Sequence, residues 1–466
     1  MDVTLSYLRL HWAKRAVLGA ALSILACSSA FADPLQGLLN YQPSAEAWWN
    51  PPTAAEDLPA VGMWRAEFSY THANLVRNKR DDALQQLLTA RGPGLSLSRR
   101  SASSFMRLSW QASDVDASLL SAGRGNSLGG DRRTFLLEGG CTRPLKGGEL
   151  RLAGRLVSLN MPIAGRLPSL VHGVPGLNDG DRSRLTWRED GWTLATQYRG
   201  GQGALSLAYG ESRTEIDLES VSPSERILLG ADLNGHTYGV GAELRLGTGT
   251  LAEVFYRQSH NSGERGVFRQ NARIGPLSAR QHSRHYGIKL REPGDTPGWQ
   301  ATLTRGRYHT DLAGSARLAG FVDPVFGITA PRGHVSAETD ISLTTALIEW
   351  EGGGIGGANI GYLLGATRWD LDSDFTTWQS VLFGAARINE RTSSMKLESG
   401  WLLHLGLTAE WRLGAGSKLS LGIGQSVPVV THRRKAELGL PGPPVAPVSR
   451  AVDGGRYIIL ACTYDF

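Results

Sequence analysis

From Gly62 onward the chain places apolar side chains at every second position over short runs. Trp64, Ala66, Phe68 and Tyr70 share one face, and Arg65, Glu67, Ser69 and Thr71 share the other. The period returns at Leu150, Leu152, Gly154 and Leu156 against Arg151, Ala153 and Arg155. It is clearest at Tyr238, Val240, Ala242, Leu244 and Leu246, which oppose Gly239, Gly241, Glu243 and Arg245. Leu403, Leu405, Leu407, Ala409 and Trp411 oppose His404, Gly406, Thr408, Glu410 and Arg412 in the same way. Period two is strand geometry, because successive side chains leave opposite faces. Short Gly-rich turns at 200–202, 248–249, 292–297, 351–355 and 414–417 separate these runs. Between them lie long polar connections at 73–101, 160–183, 214–235, 261–281, 310–337, 369–396 and 428–453. Early strands are expected at 62–72, 102–112, 115–123 and 132–142. Short connections alternating with long ones predict an all-β fold: a transmembrane, antiparallel, up-and-down β-barrel of about sixteen strands. Fourteen to eighteen strands fit the same pattern.

The last strand sharpens this reading. In residues 455–466, GRYIILACTYDF, the side chains of Ile458, Leu460, Cys462, Tyr464 and Phe466 share one apolar face that ends in an aromatic. A terminal Phe with an aromatic two residues before it resembles the Gram-negative outer-membrane β-barrel class, porins among them. That resemblance implies a place in the outer membrane, with lipid and lipopolysaccharide as neighbours. It also implies recognition of the C-terminal strand by the barrel-assembly machinery. The architecture has a plain cause: in hydrocarbon every backbone donor and acceptor needs a partner, and a closed sheet supplies them without edges. Trp64, Tyr70, Trp110, Trp299, Trp411, Tyr464 and Phe466 are the expected membrane-interface aromatics.

The N-terminus carries the matching address. Arg9, Lys14 and Arg15 precede an apolar run at 16–26, and Ala30-Phe31-Ala32 is a small-x-small cleavage site. Residues 1–32 therefore read as a secretory signal peptide. A rival cleavage before Cys27 would leave a lipid-modified cysteine. Residues 33–61 contain Trp48-Trp49-Asn50-Pro51-Pro52, where adjacent prolines break any strand, so this segment is either a periplasmic tail or a plug. Its Asn-Pro before the first strand is similar to the outer-membrane fatty-acid channels, whose N-terminal hatch fills the lumen. The barrel itself is expected over 62–466. Mean hydropathy of −0.20 with 41% hydrophobic residues agrees with a barrel, since only alternate residues meet lipid. Cys141 and Cys462 lie on apolar faces and read as small hydrophobes rather than a disulfide framework.

Charge suggests what the lumen does. The formal net charge is +6, and Lys occurs seven times, so most of the 49 basic residues are Arg. The polar faces place Arg65, Glu67, Arg107, Arg151, Arg155, Arg199, Glu243, Arg245, Arg257, Arg291, Glu410 and Arg412 on the expected lumen wall, with Glu253 and Lys289 nearby. Such a wall either pairs its charges across strands or concentrates anionic solutes. The expected function is diffusion of small hydrophilic, preferably anionic, solutes. Polysaccharide export or attachment, or a plugged channel for hydrophobic compounds, are the rivals. No catalytic site, metal centre, cofactor or nucleic-acid partner is expected. His260-Asn261-Ser262 and His282-Ser283 have no carboxylate partner in sequence, residues 178–181 fall short of a calcium motif, and the basic clusters Arg99-Arg100, Arg132-Arg133 and 432–435 read as loop charge. Oligomeric state is not encoded in any of these features.

Overall fold

The computed structural model describes residues 59–77, 84–121, 124–165, 182–201, 203–221, 226–247, 249–269, 272–293, 298–317, 332–381, 386–398, 401–414, 416–428 and 456–466. The expected signal peptide, Cys27, residues 33–58, the turn at 178–181 and the basic cluster at 432–435 lie outside these described residues. The first strands are β1 (Trp64–Arg77), β2 (Leu84–Arg100), β3 (Ser104–Ser121), β4 (Arg124–Leu145), β5 (Gly148–Gly165) and β6 (Arg182–Gly200). They are followed by β7 (Gly203–Val221), β8 (Arg226–Arg245), β9 (Leu251–Glu264), β10 (Gly266–Arg269), β11 (Ala272–Gly275) and β12 (Leu277–Arg291). The last are β13 (Trp299–Arg317), β14 (Arg332–Ile355), β15 (Ala358–Val381), β16 (Ala386–Glu398), β17 (Leu402–Gly414), β18 (Ser417–Pro428) and β19 (Arg456–Asp465).

Three of these segments continue another. β9 and β10 run in one register along β8, with Gly263 opposite Leu233 and Gly266 opposite Gly230, so only Arg265 separates them. β11 and β12 are separated by Pro276, which has no backbone N–H to give a ladder. β16 and β17 lie end to end along β15, with Glu398 opposite Asp370 and Leu402 opposite Thr367. The sheet therefore has 16 staves, each antiparallel to the next. It closes where β19 pairs with β1 from Arg65 opposite Asp465 to Asn74 opposite Arg456. Trp64 and Phe466 exchange backbone hydrogen bonds of 2.8 and 2.9 Å at that seam.

Both ends of the barrel domain lie with the short turns, the end that faces the periplasm in outer-membrane barrels. The β14–β15 turn shows why glycine is needed there. Gly356 and Gly357 both have positive φ, 60° and 79°, as a two-residue hairpin turn that follows strand twist requires.

Each long stave changes character along its length. Near the short-turn end the outer face is apolar and exposed, as at Leu205 (54%), Leu194 (60%) and Val240 (41%), and the inner face is charged. Farther along, the outer face becomes polar. On β8 it passes from Leu244, Val240 and Tyr238 to His236, Asn234 and Asp232. Here Arg265 binds Asp217, Glu215 and Asp232 at 2.7, 3.1 and 3.6 Å on the outside. At the same height the inner face turns apolar, where Ala231, Leu233 and Ala279 pack with Ile216 and Leu312. A belt of exposed apolar groups around a closed sheet belongs in hydrocarbon, so the lower portion spans the membrane and the polar-clad upper portion rises outside it.

This reversal corrects several expected connections. Most of 73–101, 214–235, 261–281 and 369–396, and the described parts of 310–337 at either end, are strand, continuing the staves upward rather than forming loops. The expected strand at 115–123 is the upper part of β3, and β2 occupies a stretch read as loop. In β2, Pro93 sits beside Gly92 and Gly94, and the β2–β3 pairing skips from Arg91 opposite Asp114 to Gly94 opposite Gln111. Proline cannot donate to that ladder, so the strand lacks the usual signal where it is most needed.

Candidate functional site: the charged inner wall

Cross-strand partners share a face, so the register defines the inner wall. Buried Glu138 and Arg155 stand opposite each other on β4 and β5. From Glu138 the same ladder row leads to Arg107, Ser98, Arg65 and, across the seam, Asp465. Arg65, Glu67, Arg107, Arg151, Arg155, Arg199, Glu243, Arg245, Arg257, Arg291, Glu410 and Arg412 all lie on this one face. Trp64, Tyr70, Trp110, Trp299, Trp411, Tyr464 and Phe466 lie on the other, with Tyr70 and Trp110 each 42% exposed.

The guanidinium groups are largely engaged with carboxylates. Arg65 grips Asp465 with two nitrogens at 2.6 and 2.8 Å, a fork that locks the first stave to the last. Glu138 accepts from Arg155 and lies 3.9 Å from Arg107. Glu243 joins Arg199 at 3.1 Å to Arg291 at 3.0 Å, bridging from β6 to β12 over the smaller β7 side chain Ala204. Arg151 lies 3.6 Å from Glu149, and Lys418 lies 3.1 Å from Glu410. Gln300 donates to Glu349. Arg257 is 2% exposed and stands opposite His285.

Sequence reasoning missed Glu138, Glu149, Glu349, Lys418 and Asp465 as members of this wall, although strand parity could have found each. With them included, the positive excess shrinks and concentrates toward the periplasmic rim. There Arg245 and Arg412 are exposed beside the short turns that follow β8 and β17. The inner wall thus has two zones, a charged one in the membrane and a more apolar one above it. The second includes Val157, Leu159, Trp187, Leu233, Ile341 and Leu343.

The His282-Ser283 candidate does not assemble. Ser283 turns inward to meet Ser259, whereas His282 faces outward, as the strand period demands. Cys141 and Cys462 are free thiols.

The chain forms a β-barrel of the outer-membrane type. No protein-family model matches it, and no curated protein matches it. Among solved structures it is similar to a Pseudomonas aeruginosa FadL homologue, with 11% identity over 90% of this chain and 94% of that one, at a TM-score of 0.44. It is also similar to the Pseudomonas putida toluene transporter TodX, with 10% identity over 91% and 93% of the two chains and a TM-score of 0.38. A third likeness is the copper transporter OprC, with 10% identity over 88% and 84% and a TM-score of 0.37. TM-scores this low leave the fold resting on the closed sheet itself rather than on these neighbours.

Proposed function

We propose that the barrel is an outer-membrane channel that favours small anionic solutes. The observation carrying this reading is the inner wall of the membrane-spanning zone, where guanidinium groups outnumber their partners toward the periplasmic mouth at Arg151, Arg245 and Arg412. Positive groups on a low-dielectric wall raise the local concentration of anions and orient them. Replacing Arg151, Arg245 and Arg412 by Glu should shift the reversal potential measured in planar bilayers toward cation preference. An unchanged preference overturns the reading. A second reading, a channel for hydrophobic compounds, is favoured by the apolar upper zone around Leu233 and Leu343. Flux of an uncharged hydrocarbon into vesicles that Leu233→Asn and Leu343→Asn slow, with ion preference untouched by the arginine variants, would select that reading instead.

A further inference from the structure

The outer surface carries a row of histidines that the channel reading does not use. His236 on β8 is the register partner of His260 on β9, His260 of His282 on β12, and His282 of His309 on β13. Four of the chain's 11 histidines thus stand side by side across four neighbouring staves. Tyr238, Tyr256 and Tyr286 lie below them on the same outward face, so the row sits just above the apolar belt at the level of the lipid headgroups.

Within the row, His260 and His282 converge. Their Nδ1 atoms are 2.7 Å apart and their rings meet edge to face, with centroids 4.9 Å apart. The proton between them can be placed from the surrounding bonds. Tyr256 donates its hydroxyl to Gln258 Oε1 at 3.0 Å, which turns Gln258 Nε2 toward His282 Nε2 at 3.3 Å. His282 Nε2 accepts there, so its proton sits on Nδ1 and points at the Nδ1 lone pair of His260. The ring of His236 flanks His260 at 5.8 Å. Beyond His282, His309 presents Nδ1 to Asp340 at 2.8 Å and Nε2 to Asp311 at 3.1 Å, and Glu338 completes a set of ligand-type atoms around it.

We propose that His260 and His282 chelate a borderline divalent cation, Zn²⁺, Ni²⁺ or Cu²⁺, through their two Nδ1 atoms. Metal–imidazole bonds of about 2.0–2.1 Å need the two nitrogens to part by roughly half an ångström from their present contact, a small ring rotation on an exposed face. The proton on His282 Nδ1 moves to its Nε2, the Gln258 amide turns over so that its oxygen accepts there, both rings stay neutral, and water fills the remaining positions. Nitrogen donors select these ions over Ca²⁺ and Mg²⁺, which take oxygen. The site therefore differs from the oxygen-based cation bridges between lipopolysaccharide phosphates.

The test uses the full chain, without a histidine tag, extracted from outer membranes in detergent and titrated calorimetrically with ZnCl₂ or NiCl₂ alone. One saturable site is expected at about pH 7.5. His260→Ala and His282→Ala should each weaken it by at least about tenfold, the smallest loss usual even for an outer-shell partner of a metal. CaCl₂ should not compete. Equal binding by the double variant, competition by calcium, or no saturable binding overturns the proposal. Electron paramagnetic resonance of the unaltered protein with Cu²⁺ guards against a variant that fails to fold: two-nitrogen hyperfine structure is expected, and its absence is equally fatal.

Discussion

At the scale of single residues, Glu243 shows what the charged wall asks of its members. It is 9% exposed and holds Arg199 and Arg291 together from staves on either side of its own. Replacing it by Gln leaves two guanidinium groups facing each other without their shared counter-charge. Breaking a buried ion pair costs about 3–5 kcal/mol, and the partial exposure of Arg199 places the expected loss at the low end, near 3 kcal/mol. Urea unfolding in lipid vesicles measures it, and Glu243→Gln combined with Arg291→Gln should recover part of the loss. A loss below about 0.5 kcal/mol, the size of an ordinary surface substitution, would show that water already carries these charges. Much of this wall was legible from parity alone, because Arg65, Glu243 and Arg245 alternate cleanly with apolar neighbours. The pairing was not. Arg65 meets Asp465 from the far end of the chain, and no local pattern encodes a contact across a seam.

At the scale of the strand, the reversal of amphipathic phase explains both what the sequence revealed and what it hid. Inside the membrane the outward residues of β8 are Tyr238, Val240 and Leu244, and the stripe is unmistakable. Above it, outward Asn234 and Asp232 alternate with inward Leu233 and Ala231, the ordinary pattern of a sheet with a greasy interior. A reader following one apolar face loses the strand where that face becomes polar, which is why much of 214–235 reads as loop. Substitution by depth makes the boundary measurable. Val240→Arg should cost about 2–4 kcal/mol, the usual penalty for a lipid-facing cation near the bilayer midplane, whereas Asn234→Arg on the same face should stay within about 0.5 kcal/mol. Equal costs at the two sites, read from the same urea titration, would remove the boundary between them.

At the scale of the whole molecule, the closed sheet depends on its last few residues. Phe466 and Trp64 exchange both backbone bonds at the seam, and Asp465 supplies the carboxylate that Arg65 holds. Deleting 464–466 removes the Trp64–Phe466 backbone pair and the Arg65–Asp465 fork, and so opens the seam between the first and last staves at its periplasmic end. The truncated chain should therefore lose the compact, fast-migrating form that folded barrels show on unheated gels. A normal yield of that form would mean that closure does not need this seam. The number of staves was readable from the alternation of short and long connections, but it survived two offsetting errors: β2 went unseen, and β3 was divided into two.

The polar-clad upper staves have a bearing on transit. β14 and β15 each run for 24 residues, about 80 Å of strand and roughly 60 Å of height at the usual tilt, twice the hydrocarbon thickness. A molecule arriving from outside meets this chimney well before it draws level with the lipid. Under the proposed channel function its sorting would begin at that height, along a wall where Leu233 and Leu343 share the lining with buried Arg132 and Glu189, and would finish at Arg245 and Arg412 by the lower rim.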